Sequence, residues 1–197
     1  MQTILQDVSG THEISLDALV RGKRCIFVEG EINHAMSMDV LRQLMAYAFE
    51  DDEKPIHVLI NSPGGLYPAG MLIYDAVHSC PAPVRMYCVG IAASMAGILF
   101  ISGEDGRYIL PHARVMIHEP RIPITSEGER TASFKMLADS LADMKSGMDK
   151  LLAKHTKQPL KRIAKWTHDE KFFSAEDAVK FGMADGICGI GDIVGGV

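Results

Sequence analysis

Along the chain, short apolar runs alternate with amphipathic stretches, and the two periodicities separate cleanly. Cys25 to Val28, Ile56 to Ile60 and Val84 to Val89 are apolar runs, rich in β-branched residues and bounded by turn residues. Runs of this kind read as buried strands. Between them, Ser37 to Phe49 carries Met38, Leu41, Leu44, Met45 and Ala48 at spacings of three and four, and Tyr67 to Ser79 is a second helical stretch. Such spacing paints one face of a helix. Strand, helix, strand, helix predicts parallel βαβ units whose sheet is covered by helices. A further strand is expected at Arg114 to Ile117, after the turn-prone SGEDGRYILPHA. The fold class predicted by this pattern is α/β.

From Thr131 to His155 the pattern changes. Phe134, Leu137, Leu141, Met144, Met148, Leu151 and His155 fall at alternating intervals of three and four. That is a heptad seam sustained over about three repeats, longer than a helix needs merely to cover a sheet. It reads either as a core-facing stripe or as a protruding helix that packs on its counterpart in another subunit. The Gly-rich end, ICGIGDIVGGV, reads as a surface tail.

Length and composition narrow the possibilities. The 197 residues suit one domain of about 150 residues with an appendage. Hydrophobic residues at 47% and charged residues at 23% exclude a disordered chain. Twenty Lys and Arg against 25 Asp and Glu give a charge of -5, which leaves no basic footprint for nucleic acid or an anionic membrane. No apolar run approaches the roughly 18 residues of a membrane span. The N-terminal MQTILQDVSGTHE lacks the basic start and apolar run of a signal peptide, so a cytoplasmic location is expected. Cys25, Cys80, Cys88 and Cys188 form no CxxC pair and sit in apolar contexts, as buried reduced thiols do. Without HExxH, a P-loop or GxGxxG, no metal or nucleotide cofactor is implied. Any chemistry must come from side chains.

Four segments offer it. In Val89-Gly90-Ile91-Ala92-Ala93-Ser94-Met95-Ala96-Gly97 an apolar strand runs into small residues, placing Ser94 at a strand-to-helix transition. A helix start offers unpaired N–H groups and a favourable dipole end, which suits a nucleophile and its oxyanion. Asn61-Ser62-Pro63-Gly64-Gly65 closes a strand with two glycines that admit a close backbone approach; a plain tight turn is the simpler reading. Met116-Ile117-His118-Glu119-Pro120 puts a histidine at the end of another strand. In a parallel sheet the strand C-termini share one edge, where Gly65, Ser94 and His118 can converge. Asp169 and Glu170, in THDEK, add two late carboxylates. Backbone donor, hydroxyl, base and acid are the components of serine hydrolysis.

In this order, NSPGG, GxAASM, RVMIHxP and FxSAxxAxxFGxxD resemble the proteolytic subunits of the Clp protease, the ClpP family, over nearly the whole chain. The resemblance implies the ClpP/crotonase-like fold of repeated ββα/βαβ units. It divides the chain into an N-terminal axial segment (about 1–18), a head (19–120 and 156–188), a handle helix region (121–155) and a tail (189–197). It makes Ser94 the nucleophile and His118 the general base, with Gly65 and Met95 supplying oxyanion N–H groups. It further implies stacked seven-membered rings enclosing the sites, unfolded substrates delivered by a AAA+ ATPase, and no cofactor.

The chain departs from the family at three places. The family's T-x-R-D-x-F reads Thr167-His168-Asp169-Glu170-Lys171-Phe172 here, so Glu170 takes the place of the acid and Asp169 that of a ring-latching arginine. If this stretch is extended, its side chains alternate between faces, and Glu170 is the expected orienter of His118. The stretch on which a substrate pairs as an added strand reads Arg121-Ile122-Pro123-Ile124-Thr125-Ser126, and Pro123 cannot donate to it. Positions matching the family's apolar pocket for ATPase loops are His57, Leu59, Ser79, Tyr87, Val89 and Cys188, of which one is aromatic. The leading expectation is a serine endopeptidase subunit. The alternatives are a structural or regulatory ring subunit paired with an active paralogue, and an acyl-CoA enzyme of the crotonase type.

Overall fold

A computed structural model of the chain describes residues 2–7, 10–121 and 131–195. Strands β1 (Gln2–Asp7) and β2 (Gly10–Ser15) pair antiparallel as a two-stranded sheet of their own. Ser15 caps α1 (Leu16–Arg21), its hydroxyl accepting from the Ala18 N–H at 3.0 Å. Next come β3 (Cys25–Ile32) and α2 (His34–Glu50), whose first turn is closed by the Asn33 side chain accepting from Met36 N–H. Then follow β4 (Ile56–Gly65), α3 (Tyr67–Ser79), β5 (Val84–Ala93), α4 (Met95–Ile101), β6 (Arg107–Ile109) and β7 (Arg114–Ile117). The C-terminal part holds α5 (Thr131–Thr156), α6 (Leu160–His168), β8 (Lys171–Phe173), α7 (Ala175–Lys180), β9 (Gly186–Ile187) and α8 (Ile190–Gly195).

Of the seven strands of the main sheet, five follow the order β3-β4-β5-β6-β9 and run parallel, and β7 and β8 branch from this path. β5 serves two neighbours: Met86 to Cys88 pair with β6, and Ile91 to Ala93 pair with β7. On the far side of β7, β8 runs antiparallel, with Lys171 opposite Ile117. Apolar residues on these strands and on the helices covering them, among them Ile26, Val28, Ile60, Ile73, Met86 and Phe100, are fully buried. Trp166, Phe173 and Phe181 meet edge to face and join α6, β8 and the end of α7. Arg107 ties the periphery together: it pairs with Asp185 at 2.6 Å and donates to the carbonyls of Ile101, His155 and Gly182.

The observed strands run further than the apolar runs. β3, β4 and β5 continue through Glu29 to Ile32, Asn61 to Gly65 and Gly90 to Ala93, because pairing persists where the side chains turn polar or small. Asn61 to Gly65 is therefore bulged strand rather than a tight turn, with the register slipping between Ile60 and Ser62. The heptad seam divides in two. Met148 and Leu152 are buried and Met144 packs on the core, so the C-terminal half of α5 serves its own head, with the buried stripe at Leu152 rather than Leu151. Over residues 135–143 only Leu137 and Leu141 are half-buried, and Met136 is exposed. The side chain of Phe134 and residues Ile122 to Ser126, including Pro123, lie outside the described residues. The expected tail instead forms α8, whose Ile193 is buried against Tyr87 and Cys188. No helix among the described residues is long and apolar enough to cross a membrane.

Candidate active site

The sheet topology places four chain segments at one edge. β4 ends at Gly65, β5 runs directly into Ser94, and β7 runs directly into His118. Because β8 is antiparallel to β7 with Lys171 opposite Ile117, Glu170 enters that edge level with His118. Gly65, Tyr67, Ser94, Met95, His118, Arg121, Met144 and Met148 line one cleft of about 390 Å³.

Ser94 occupies a backbone conformation that L residues rarely adopt, φ 56° and ψ −123°. Such a position costs roughly 1–3 kcal/mol and persists only where the surroundings impose it. Here the Ser94 N–H donates to the Met116 carbonyl at 2.9 Å while its carbonyl accepts from Ile98 N–H at 3.1 Å, so the turn is clamped between β7 and α4. The Ser94 side chain makes no capping bond to α4. Its hydroxyl is thus presented to the cleft instead of closing the helix, and the first N–H groups of α4 remain without intrahelical partners.

The glycines of NSPGG make this turn possible. Gly64 has φ +98°, and a Cβ there would stand 2.7 Å from the Ala93 carbonyl and 2.7 Å from Ser94 Cβ. At Gly65, with φ +156°, a Cβ would overlap the Ile32 carbonyl. Ser62 supports the bulge from within, its buried hydroxyl accepting from Gly64 N–H at 3.1 Å. A glycine pair is thus required by close packing of backbone on backbone.

His118 is half-buried. Burial, and next the positive charge of Arg121, hold its pKa below the ordinary imidazole value, while Glu170 and Glu119 act in the opposite sense. A neutral ring is the form that can accept a proton. Its Nδ1 is buried and has no hydrogen-bond partner among the described residues. The model of the family described as Clp protease matches residues 9–190 of the chain.

The chain belongs to the Clp protease family. Membership implies a peptidase that acts on peptide substrates and works in an oligomeric assembly. Within this Clp protease chain the stretch from Thr167 to Glu170 is arranged differently from the expectation of an extended strand. Thr167 and His168 end α6, Asp169 donates its N–H to the Lys165 carbonyl, and Glu170 sits in a turn with φ 51° before β8 begins. Glu170 is exposed and paired with Arg121, so neither carboxylate is bonded to His118 Nδ1. Arg121 is the residue that sequence reasoning missed in this role. It lies 49 positions from Glu170, and no local pattern joins them.

The positions matched to the family's apolar pocket are partly assembled. Tyr87 and Cys188 pack with Ile193, Leu59 and Val89, and His57 and Leu59 line a groove of about 530 Å³ with Leu19, Phe27 and Val194. Ser79 lies elsewhere, beside Leu41 and Ala76. Phe27, half-exposed, adds an aromatic side chain that the sequence comparison had not counted. All four cysteines are free thiols, and burial pushes Cys88 up to about 12, which leaves it a poor nucleophile.

Proposed function

We propose that this chain is a serine endopeptidase of the self-compartmentalising, ATP-dependent kind, with Ser94 as nucleophile and His118 as general base. The supporting observation is the strained, clamped Ser94 turn, which opens onto the same cleft as His118 and the Gly64-Gly65 bulge. Ser94 Oγ attacks the scissile carbonyl carbon while His118 takes its proton. The N–H groups of Met95 and Gly65 stabilise the oxyanion; one such donor contributes on the order of 10²- to 10³-fold. Collapse of the intermediate breaks the C–N bond, His118 returns the proton to the departing amine, and water then hydrolyses the acyl-serine by the same route. Glu170 orients His118 Nδ1 once it is released from Arg121.

Unfolded polypeptide, delivered by a AAA+ ATPase whose apolar loops seat in the groove of Phe27, His57 and Leu59, is the substrate. The chamber is a ring of copies of this chain, alone or with a second subunit of the same family. A second reading, a structural or regulatory ring subunit, is favoured by one observation: among the described residues His118 Nδ1 is left without an acid. A fluorophosphonate probe separates the two. Under the protease reading it labels Ser94, and Ser94→Ala removes labelling and peptide cleavage together, a loss on the order of a millionfold in turnover. Wild-type chain that neither labels nor cleaves, even when assembled, assigns the structural role.

A further inference from the structure

Away from the cleft, three side chains from three separate elements converge. Among the described residues, His78 at the C-terminal end of α3, Glu104 in the turn after α4 and His155 at the end of α5 present ligand atoms that all lie within 4.8 Å of one another. His78 Nε2 is 3.8 Å from a Glu104 oxygen. The two imidazole centres are 5.6 Å apart and their planes cross at 60°. Two imidazoles sharing one tetrahedral ion at N–metal distances of 2.0–2.1 Å hold their ring centres about 5 Å and their ligand nitrogens about 3.3 Å apart, so binding requires the ligand atoms to draw together from separations of up to 4.8 Å.

A second observation points the same way. His78 faces a carbonyl with each ring nitrogen, Tyr74 O at 2.7 Å from Nδ1 and Ser102 O at 3.1 Å from Nε2. A neutral imidazole has a single N–H, so with Nδ1 donating to Tyr74 the Nε2 lone pair is aimed at another oxygen lone pair. A cation held between Nε2 and the Ser102 carbonyl relieves this conflict. The ring is held in place for such a role: it stacks on Tyr74 with centres 3.9 Å apart, and the Tyr74 hydroxyl reaches His155 Nε2 at 3.3 Å. Partners that fix the orientation of ligating histidines are a regular part of metal sites.

We propose that His78, Glu104 and His155 bind a divalent transition metal of the zinc class, with the Ser102 carbonyl, 3.1 Å from His78 Nε2, in the fourth position. Two imidazoles and a carboxylate form an N/O donor set that suits Zn²⁺ better than a hard cation such as Ca²⁺ or Mg²⁺. Glu104 exchanges the Lys154 ammonium, now 3.6 Å away, for the ion, and its exposed side chain has the freedom to swing inward. The ion would join the end of α3, the α4–β6 turn and the base of the long α5 helix, and takes no part in hydrolysis. Lack of HExxH is no obstacle, because the ligands come from positions 78, 104 and 155.

The test reads metal directly and is independent of peptidase activity. Full-length chain stripped with chelator is titrated with Co²⁺ and followed by its visible ligand-field absorption, then by displacement with Zn²⁺. The expected result is one ion per chain with a tetrahedral N/O spectrum and no thiolate charge-transfer band. His155→Ala and the milder Glu104→Gln should each weaken binding by at least the 10- to 100-fold that even an outer-shell change costs. Zn²⁺ should raise the melting temperature of the wild type and not of Glu104→Gln, whose folding is checked by circular dichroism. Absence of a cobalt spectrum, a thiolate band that transfers the site to a cysteine, or wild-type affinity in both variants would each overturn the proposal.

Discussion

Replacing Gly64 by alanine tests whether backbone packing holds the Ser94 turn in place. The new Cβ would stand 2.7 Å from the Ala93 carbonyl and from Ser94 Cβ, and 3.0 Å from Met95 N. Every obstructing atom is backbone or Cβ, so none can rotate away. Relief to an ordinary contact of 3.4 Å requires a displacement of 3.4 − 2.7 = 0.7 Å, and it falls on the nucleophile and an oxyanion donor together. A misplacement of about 1 Å can cost about 100-fold in rate, so labelling of Ser94 should slow by about 10- to 100-fold. Stability should fall as well, by about 1–2 kcal/mol for the left-handed backbone and about 1–3 for overpacking. That total lies within the typical 5–15 kcal/mol of a domain, and the protein should remain folded. Gly30→Ala is the matched control: its φ is +77°, yet nothing lies within 4 Å of the new Cβ. It should share the backbone cost and keep the labelling rate. The assay is the second-order rate constant for fluorophosphonate labelling, read beside a urea melt. Equal labelling rates in the two variants would refute the packing argument.

Two further outcomes follow from the electrostatics. Because burial and Arg121 hold His118 below its ordinary pKa, labelling should persist below pH 6.5; in Arg121→Gln the acid limb should move upward and labelling near pH 7 should rise as Glu170 is freed, and an unmoved limb would exclude Arg121 from control of the base. His57, buried against Tyr87 and lowered by desolvation and then by Arg85, stays neutral in the fold while the unfolded chain takes up a proton. Its contribution is therefore intact above pH 6.5 and is lost as pH falls from there through its lowered value, by up to about 1.4 kcal/mol per pH unit for each proton. Urea melts between pH 7 and 5 should show a shallower decline for His57→Gln than for the wild type.

The sequence showed the buried middle of each strand more clearly than its ends. Apolar runs marked β3, β4 and β5, while Glu29, Asn61 and Ala92 continued the same pairing without a comparable hydrophobic signal. Tyr67–Ser79 and Arg114–Ile117 were legible to the residue, the second from the turn-prone stretch before it. Ser94, His118 and Gly65 could be placed at one edge because parallel strands share their C-terminal side. The environment of Glu170 could not be read in this way. Its backbone turns left-handed directly after α6, so no alternation applies, and its partner Arg121 comes from a different part of the chain. α8 was hidden for a related reason, since the glycines flanking Ile193 mask a helix that depends on Tyr87 and Cys188 beneath it.

The division of β5 between two partners has a consequence for how such a chain can change. Between Cys88 and Ile91 the strand leaves β6 and takes up β7, with Asn61 Oδ1 accepting the Ile91 N–H at the crossover. Ser94, His118 and Glu170 thus adjoin three short segments of β5, β7 and β8 that branch from the main path of the sheet, while Gly65 comes from the end of β4. Exposed positions on that rim, Asp169, Glu170 and Arg121 among them, are free to be exchanged at little energetic cost to the core. Tuning through these exposed positions is therefore largely separate from the packing that Gly64 and Gly65 maintain, and a lineage can drift toward weaker, conditional or lost peptidase activity without passing through an unfolded ancestor.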